Sequence, residues 1–264
     1  MINEKLLETI ARELYDETGR ALTLAEGAVY FPLIEWQMER TGKSLFQYPE
    51  PFNGAVSGSC TVLFLGLNPG YKAGEDIPSF GVSFEDYHDF YKTRLHEIRK
   101  DGSPARRMTG GSLESISAYR KIEGGYLSGI ASPAGPLKLG DNCMYADVVP
   151  FKSSKWNSAD GARATLKKSG RWRDVVTACN RRIERLVRAT GPTLTVVQGG
   201  NSKDLFPELA QLKMSDAPIL SVRRGGVDFT IQWLYHSAAY QVATPEYYSA
   251  ASVKAQAFLS EHFR

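Results

Sequence analysis

Apolar and β-branched residues cluster in short runs that predict the strands of a sheet. In residues 61–65 and 194–198 they follow one another without regular polar alternation, which is typical of parallel strands buried on both faces. Residues 143–149 form a similar run, and residues 219–223 and 229–235 flank a Gly-Gly turn, which predicts a hairpin or an outer strand leading into the last parallel strand. The pattern predicts an α/β fold: a three-layer α/β/α sandwich around a mostly parallel sheet of about four strands.

Segments with apolar residues at helical spacing surround these runs. Residues 1–50 predict helices, and we interpret them as a helical N-terminal cover on a single domain that spans residues 1–264. Residues 101–141, rich in Gly, Ser and Pro, predict a surface insertion with a short helix near residues 113–122. Further helices are predicted at residues 84–98, 173–188 and 202–212 and from Thr244 onward. The apolar side of the last one is predicted to consist of Tyr248, Val253, Phe258 and Leu259.

The composition is that of an ordinary globular protein, with 42% hydrophobic and 23% charged residues in a chain of 264. The first residues are charged from the fourth position, so the sequence predicts neither a signal peptide nor a membrane span there, and we expect a cytoplasmic protein. The three cysteines, Cys60, Cys143 and Cys179, are widely spaced, and this spacing supports neither a zinc site nor an iron–sulfur cluster.

Positive charge is concentrated in residues 151–190. This segment holds eleven Lys and Arg against three acidic residues, in a chain whose net charge is +3, whereas residues 1–50 hold nine acidic and five basic residues. On the predicted helix at residues 173–188, Arg181, Arg185 and Arg188 lie on a different side from the apolar residues. Such a basic face is typical of a nucleic-acid surface, and also of an ordinary solvated helix.

Three predicted strands end on polar residues that could form a site. The first passes into a loop in which two glycines allow a ligand to approach closely and Asn68 offers both a donor and an acceptor. The second strand ends at Asp147 and the last one at His236. Ligands of open parallel sheets bind beyond the carboxyl ends of the strands, so these residues predict a site. Alternatively, the first loop is a plain turn and the histidine is a packed or surface residue.

The motif Gly66-Leu67-Asn68-Pro69-Gly70, followed in order by the strand ends at Asp147 and His236, resembles the uracil-DNA glycosylase superfamily. The resemblance is closest to the single-strand-selective and mismatch-specific uracil glycosylases and covers roughly residues 52–264. It implies a uracil-DNA glycosylase-like fold and a monomeric DNA-repair enzyme that hydrolyses the N-glycosidic bond of a flipped uracil-like or other modified base. It also implies single- or double-stranded DNA as the partner, no membrane association, and no metal or organic cofactor.

The resemblance gives the matching residues roles. Asn68 would orient the attacking water, and His236 would hydrogen-bond the leaving base. Asp147 would read the edge of the base, and Phe80 would stack on it, although Tyr71 and Phe84 compete for the stacking role. The remaining residues implied around the base are Gly66, Leu67, Pro69, Gly70 and Tyr71. Those implied in contacts with DNA are Lys152, Arg181, Arg185, Ser237 and Tyr240, where Tyr240 or a neighbour would fill the gap left by the base.

Two positions depart from the pattern of the family. The family has asparagine where this chain has Asp147, and an ionised carboxylate can accept from N3–H of uracil but cannot donate to O4. This departure predicts poor activity on uracil unless burial keeps the carboxyl protonated or the preferred base carries an amino group. The family motif His-Pro-Ser is replaced by His236-Ser237-Ala238, so only the histidine matches.

These departures favour an alternative of another class, a non-catalytic nucleic-acid or modified-base binding protein on the same fold. A nucleotide-binding α/β enzyme has less support, because the first strand is followed neither by Gly-x-Gly-x-x-Gly nor by a Walker loop with its lysine.

Overall fold

A computed structural model describes most of the chain. The described residues are 1–23, 27–41, 46–54, 58–67, 78, 81–101, 121–133, 135–151, 156, 159–236 and 241–262. The helices are α1 (Glu4–Leu22), α2 (Phe31–Thr41), α3 (Phe84–Asp101), α4 (Ala162–Lys168), α5 (Trp172–Thr190) and α6 (Pro245–His262). The strands are β1 (Val62–Gly66), β2 (Cys143–Asp147), β3 (Leu194–Gln198), β4 (Ile219–Arg224) and β5 (Val227–Leu234).

The five strands form one sheet in the order β2-β1-β3-β5-β4. The first four in this order run parallel, and β4 pairs antiparallel with β5 as the outer arm of a hairpin. The prediction of a mostly parallel sheet in an α/β fold is therefore confirmed. The predicted number of about four strands is one too low, because the segment at Ile219–Arg224 joins the same sheet as an edge strand.

The sheet separates two hydrophobic cores, because successive side chains of a strand point to opposite faces. On β1, Leu63 and Leu65 belong to the core under α1, α2 and α5. Val62 and Phe64 belong to the other core, which includes Ile122, Tyr126 and the buried side of α6. Every residue of β1, β2 and β3 is buried, as the unbroken apolar runs predict.

Helices α1 and α2 occupy most of the described part of residues 1–50. Asn3 caps α1 by accepting from the backbone N–H of Leu6 at 3.0 Å, and its own N–H donates to Ala189 O at the end of α5. The apolar side of α1, with Leu7, Ile10 and Leu14, is buried in the core next to α5. The N-terminal helix is thus part of the core.

Two helix predictions need correction. Residues 202–212 hold two short 3₁₀ turns, Gly200–Asp204 and Pro207–Leu209, where the sequence predicts one helix. Pro207 lacks an N–H and disfavours helical backbone at the preceding residue, so a continuous helix stops there. On α6, Val253 is 65% exposed, and the buried side is built instead from Tyr248, small residues and Leu259. Within the described residues, no helix combines the length and apolar character needed to cross a membrane.

Candidate functional site

The strand order creates a switch point at the carboxyl ends of β1 and β3. From β1 the chain crosses to β2 on one side, and it then returns to β3 on the other side. At such a point the two connections leave in opposite directions and open a crevice, which is where open α/β sheets bind ligands. The carboxyl ends of β1, β2, β3 and β5 all lie at this edge of the sheet.

The register places four residues in one row across this edge. On one side, Gly66 of β1 pairs with Asp147 of β2. On the other side, Leu65 pairs with Val197, which places Gly66 beside Gln198 of β3. Gln198 in turn pairs with Leu234 of β5. Alternation along each strand puts all four on the face of Phe64 and Tyr126. We call Asp147, Gly66, Gln198 and Leu234 the edge row.

Gly66 leaves the centre of the edge row without a side chain, and Asp147 uses that space. A Cβ built on Gly66 would collide with Oδ1 of Asp147 and with the hydroxyl of Tyr145. The carboxylate of Asp147 therefore leans across the end of β1 toward β3. Asp147 is 3% exposed, so its carboxyl group is almost completely shielded from water. The sequence predicts that Gly66 lets a ligand approach closely. In the structure, the space beside Gly66 holds the carboxylate of Asp147.

Main-chain hydrogen bonds fix the start of the loop after β1. Val148 N donates to Gly66 O at 2.9 Å, and Val149 N donates to Leu67 O at 2.8 Å. These bonds continue the pairing of β1 and β2 by two residues, so the backbone is held up to Leu67, directly before the motif asparagine. The other predicted site residues of this region lie outside the described residues: Asn68, Pro69, Gly70, Tyr71 and Phe80. Phe84, the competing aromatic, is buried in the core at the start of α3.

A buried arginine holds the backbone of Asp147. Arg182 of α5 is 6% exposed and donates to three main-chain oxygens, those of Pro51 at 2.6 Å, Val148 at 3.0 Å and Asp147. Hydrogen bonds from a charged donor to buried carbonyls are stronger than neutral ones. The clamp ties the end of β2 to α5 and to the segment before β1, and so fixes the point from which the Asp147 side chain leaves.

His236 lies two residues beyond the end of β5 and is part-buried. β5 thus ends at Leu234, two residues before the strand end that the sequence predicts at His236. The neighbouring main chain is fixed by α6: Tyr235 N donates to the hydroxyl of Tyr247 at 3.1 Å, and the hydroxyl of Tyr248 donates to Tyr235 O at 3.0 Å. A Cβ on Gly199 would lie 3.7 Å from Cβ of His236, which brings the histidine against the end of β3.

Burial lowers the pKa of His236 below its usual value, and the positive charge of Lys121 lowers it further. The imidazole is therefore neutral at pH 7, with one nitrogen that donates and one that accepts. Lys121 begins a π-helical turn, Lys121–Tyr126, which packs against α6. A cation close enough to shift this pKa also stabilises any negative charge that forms beside the ring.

Gln198 is a candidate site residue that the sequence analysis missed. It is 0% exposed, and neither its Oε1 nor its Nε2 has a hydrogen-bond partner. Gln232 on the neighbouring strand is equally buried, but its amide accepts from the hydroxyl of Tyr126 and donates to Ala251 O at 3.0 Å. The signal was present in the sequence, since Gln198 ends an apolar run just as Asp147 does.

The basic face predicted on α5 is only partly free for a ligand. Arg181 is exposed, whereas Arg185 forms an ion pair with Glu13 of α1. Arg188 donates to Gly225 O at 2.6 Å, in the turn between β4 and β5. That turn lies at the amino edge of the parallel strands, opposite the edge row. An acidic residue of the N-terminal helix thus neutralises part of the positive charge of the basic face. Three predicted DNA contacts lie outside the described residues: Lys152, Ser237 and Tyr240.

No group of three or more His, Cys, Asp or Glu side chains able to hold a metal ion occurs in the described part of the chain. The three cysteines are free and buried, and burial raises the pKa of the Cys60 thiol to about 12. Comparison of the chain with models of known protein families and with curated protein sequences finds no match.

Proposed function

We propose that this protein is a DNA glycosylase, which hydrolyses the N-glycosidic bond of a base extruded from DNA. The observation that carries the proposal is the meeting of a buried carboxylate, a buried amide and a neutral histidine at the switch point of the sheet. The resemblance of the Gly-x-Asn-Pro-Gly motif to uracil-DNA glycosylases supports the same function, and it extends the proposal to their three-layer α/β/α sandwich.

The reaction breaks the bond between C1′ of the sugar and the ring nitrogen of the base. The base leaves with both electrons as an anion, and a water oxygen bonds to the oxocarbenium-like C1′ and releases a proton, which passes to the solvent or to the base anion. The enzyme therefore has to stabilise negative charge on the base. His236 would donate an N–H to a base carbonyl where this charge develops, and the nearby cation of Lys121 would favour the same charge.

Asp147 would accept from a ring N–H of the extruded base. The clamp from Arg182 to the end of β2 supports this role, because reading a base requires a fixed carboxylate. Asn68, whose loop begins at the fixed Gly66-Leu67 backbone, would orient the water, and Phe80 would stack on the base. These last two roles rest on the resemblance alone.

A DNA strand that delivers a base here has to pass the carboxyl edge of the sheet. α5 runs antiparallel to β3, so its first turn lies toward that edge and its last turn toward the opposite one. Basic residues occur before and within this first turn, at Lys167, Lys168, Arg171 and Arg173. In this proposal they contact phosphates, together with Lys152 and Arg181, and Arg185 contributes less because it is paired with Glu13.

The test is a base-excision assay with purified protein and no added metal. Oligonucleotides, single- and double-stranded, carry one uracil, hypoxanthine, xanthine or 5-substituted pyrimidine, and alkali cleaves them wherever a base has been removed. The proposal expects cleavage with at least one modified base and none with the matched normal strand. Tight binding of a modified strand without any cleavage would instead favour the non-catalytic binding protein.

A further inference from the structure

We infer that Gln198 selects the base, by donating from its amide to a ring carbonyl next to the N–H that Asp147 accepts. This inference rests on the proposed function and assigns its substrate class. The class is bases with a ring N–H flanked by a carbonyl, which includes uracil, 5-substituted uracils, hypoxanthine and xanthine. Cytosine-like bases, with a bare ring nitrogen at that position, fall outside it.

The first ground is the state of the Gln198 side chain. The large majority of buried side-chain polar atoms in proteins have a partner, so a buried amide with neither atom bonded is unusual. Among described residues, Gln232 shows that the same face of the sheet can satisfy a buried glutamine fully. The folded protein already bears the cost of removing the Gln198 amide from water, so a base would gain its hydrogen bond without displacing water from the amide.

The second ground is position. Gln198 and Asp147 flank Gly66 in the edge row, with their Cα atoms about 10 Å apart because neighbouring strands are about 4.8 Å apart. Asp147 leans toward Gln198 across Gly66. Two polar side chains of this length that approach from both sides can bind adjacent atoms on the edge of one ring.

The third ground is chemical. An ionised Asp147 can satisfy the N3–H of uracil but leaves O4 without a donor. Nε2 of Gln198 supplies that donor, so the pair replaces the two hydrogen bonds that a single asparagine makes. On cytosine the carboxylate would instead face the lone pair of N3, which is unfavourable in a dry site.

Thr195 provides a matched control on the same strand. Its hydroxyl is also fully buried and has no partner, but alternation puts it on the opposite face from Gln198. Thr195→Val and Gln198→Leu each remove an unsatisfied buried polar group. Both variants are expected to unfold at a higher urea concentration than the wild type, and only Gln198→Leu is expected to alter base recognition.

The experiment measures the dissociation constants of free uracil, cytosine and 3-methyluracil by calorimetry, for the wild type and both variants. We expect wild-type protein to prefer uracil over cytosine and 3-methyluracil, Gln198→Leu to weaken uracil binding about tenfold, and Thr195→Val to leave it unchanged. Should Gln198→Leu not fold, Gln198→Met, which keeps the unbranched shape, takes its place.

The outcomes separate this inference from the proposed function. Equal uracil affinity in the wild type and Gln198→Leu, or no preference for uracil over 3-methyluracil in the wild type, overturns the role of Gln198, whatever the excision assay gives. Selective uracil binding that Gln198→Leu weakens supports that role, even if no base is released from DNA, in which case only the proposed hydrolysis fails.

Discussion

Arg182 donates from its guanidinium to the main-chain oxygen of Asp147 and joins the middle of α5 to the end of β2. Arg182 belongs to the most basic segment of the sequence and Asp147 lies at a predicted strand end. Nothing in the sequence pattern indicates that the two residues meet. In the sequence, the positive charge of Arg182 resembles part of a DNA-binding surface. In the structure it holds the main chain of Asp147, the residue that we assign to base recognition.

Replacing Arg182 by methionine leaves three buried carbonyl oxygens without their shared donor. The expected loss in the free energy of unfolding is about 3 kcal/mol, because each buried group without a partner costs about 1–3 kcal/mol. Urea unfolding measures it, and Arg181→Met on the neighbouring exposed position is the control, with an expected change of at most about 0.5 kcal/mol. Equal effects of the two substitutions would mean that the clamp does not hold the end of β2.

Gly66→Ala tests the crowding at the centre of the edge row. The added methyl group collides with the Asp147 carboxylate and the Tyr145 hydroxyl, so we expect a loss of about 1–3 kcal/mol in unfolding free energy and displacement of Asp147. Gly19→Ala is the matched control, since nothing lies near that position within α1, and we expect a gain of about 0.5–1 kcal/mol. A Gly66→Ala protein as stable as the wild type, with unchanged base release, would contradict the geometry.

The lowered pKa of His236 predicts how stability and activity depend on pH. The unfolded chain titrates near 6.5 and the folded one below it, so the unfolded state binds more protons between these values. The contribution of His236 to stability is therefore complete above about pH 6.5 and is lost as the pH falls through the folded pKa. The difference in unfolding free energy between the wild type and His236→Gln, measured against pH, gives this contribution.

If base release needs the neutral imidazole, its rate falls on the acid side at the same lowered pKa. Lys121→Met removes a charge that lowers this pKa, so the acid limb should move toward pH 6.5. An acid limb that stays in place in Lys121→Met would show that another group controls it.

A double-mutant cycle tests whether Asp147 and Gln198 read one base together. Asp147→Asn adds a donor, which the wild type already has in Gln198, so we expect uracil release to change by less than about threefold. In the Gln198→Leu background the same substitution replaces the missing donor and should raise release about tenfold, the worth of roughly one hydrogen bond. Single-turnover rates give the coupling, and equal effects in both backgrounds would mean that the two side chains act independently.

The pattern of hydrophobic residues predicted the strands that are buried along their whole length and the helices that bury one face. β1 and β3 were recognisable because five successive residues are buried, and α5 because its apolar residues repeat at helical spacing. The 3₁₀ turns at Gly200–Asp204 and Pro207–Leu209 were missed because a single proline outweighed the helical pattern around it.

Some residues of the candidate site could likewise be predicted from the sequence, and others could not. The sequence predicted that Asp147 and His236 lie at one edge of the sheet, because strand ends are visible in a sequence and parallel strands share their carboxyl edge. Gln198 was missed because the lack of a partner is a property of the packed protein, determined by residues far away in the chain. The sequence likewise could not show that Arg185 is paired, since Glu13 meets Arg185 only after α1 packs on α5.

The most direct test of the central claim is the single-turnover release of free base from a modified oligonucleotide, with the product quantified by chromatography. We expect the wild type to release a base that has a ring N–H beside a carbonyl. Asn68→Ala and His236→Gln should each slow release by about a hundredfold or more while DNA affinity stays close to wild type, because both residues act in the transition state. Release at wild-type rates by both variants, or no release of any base by the wild type, would contradict the account.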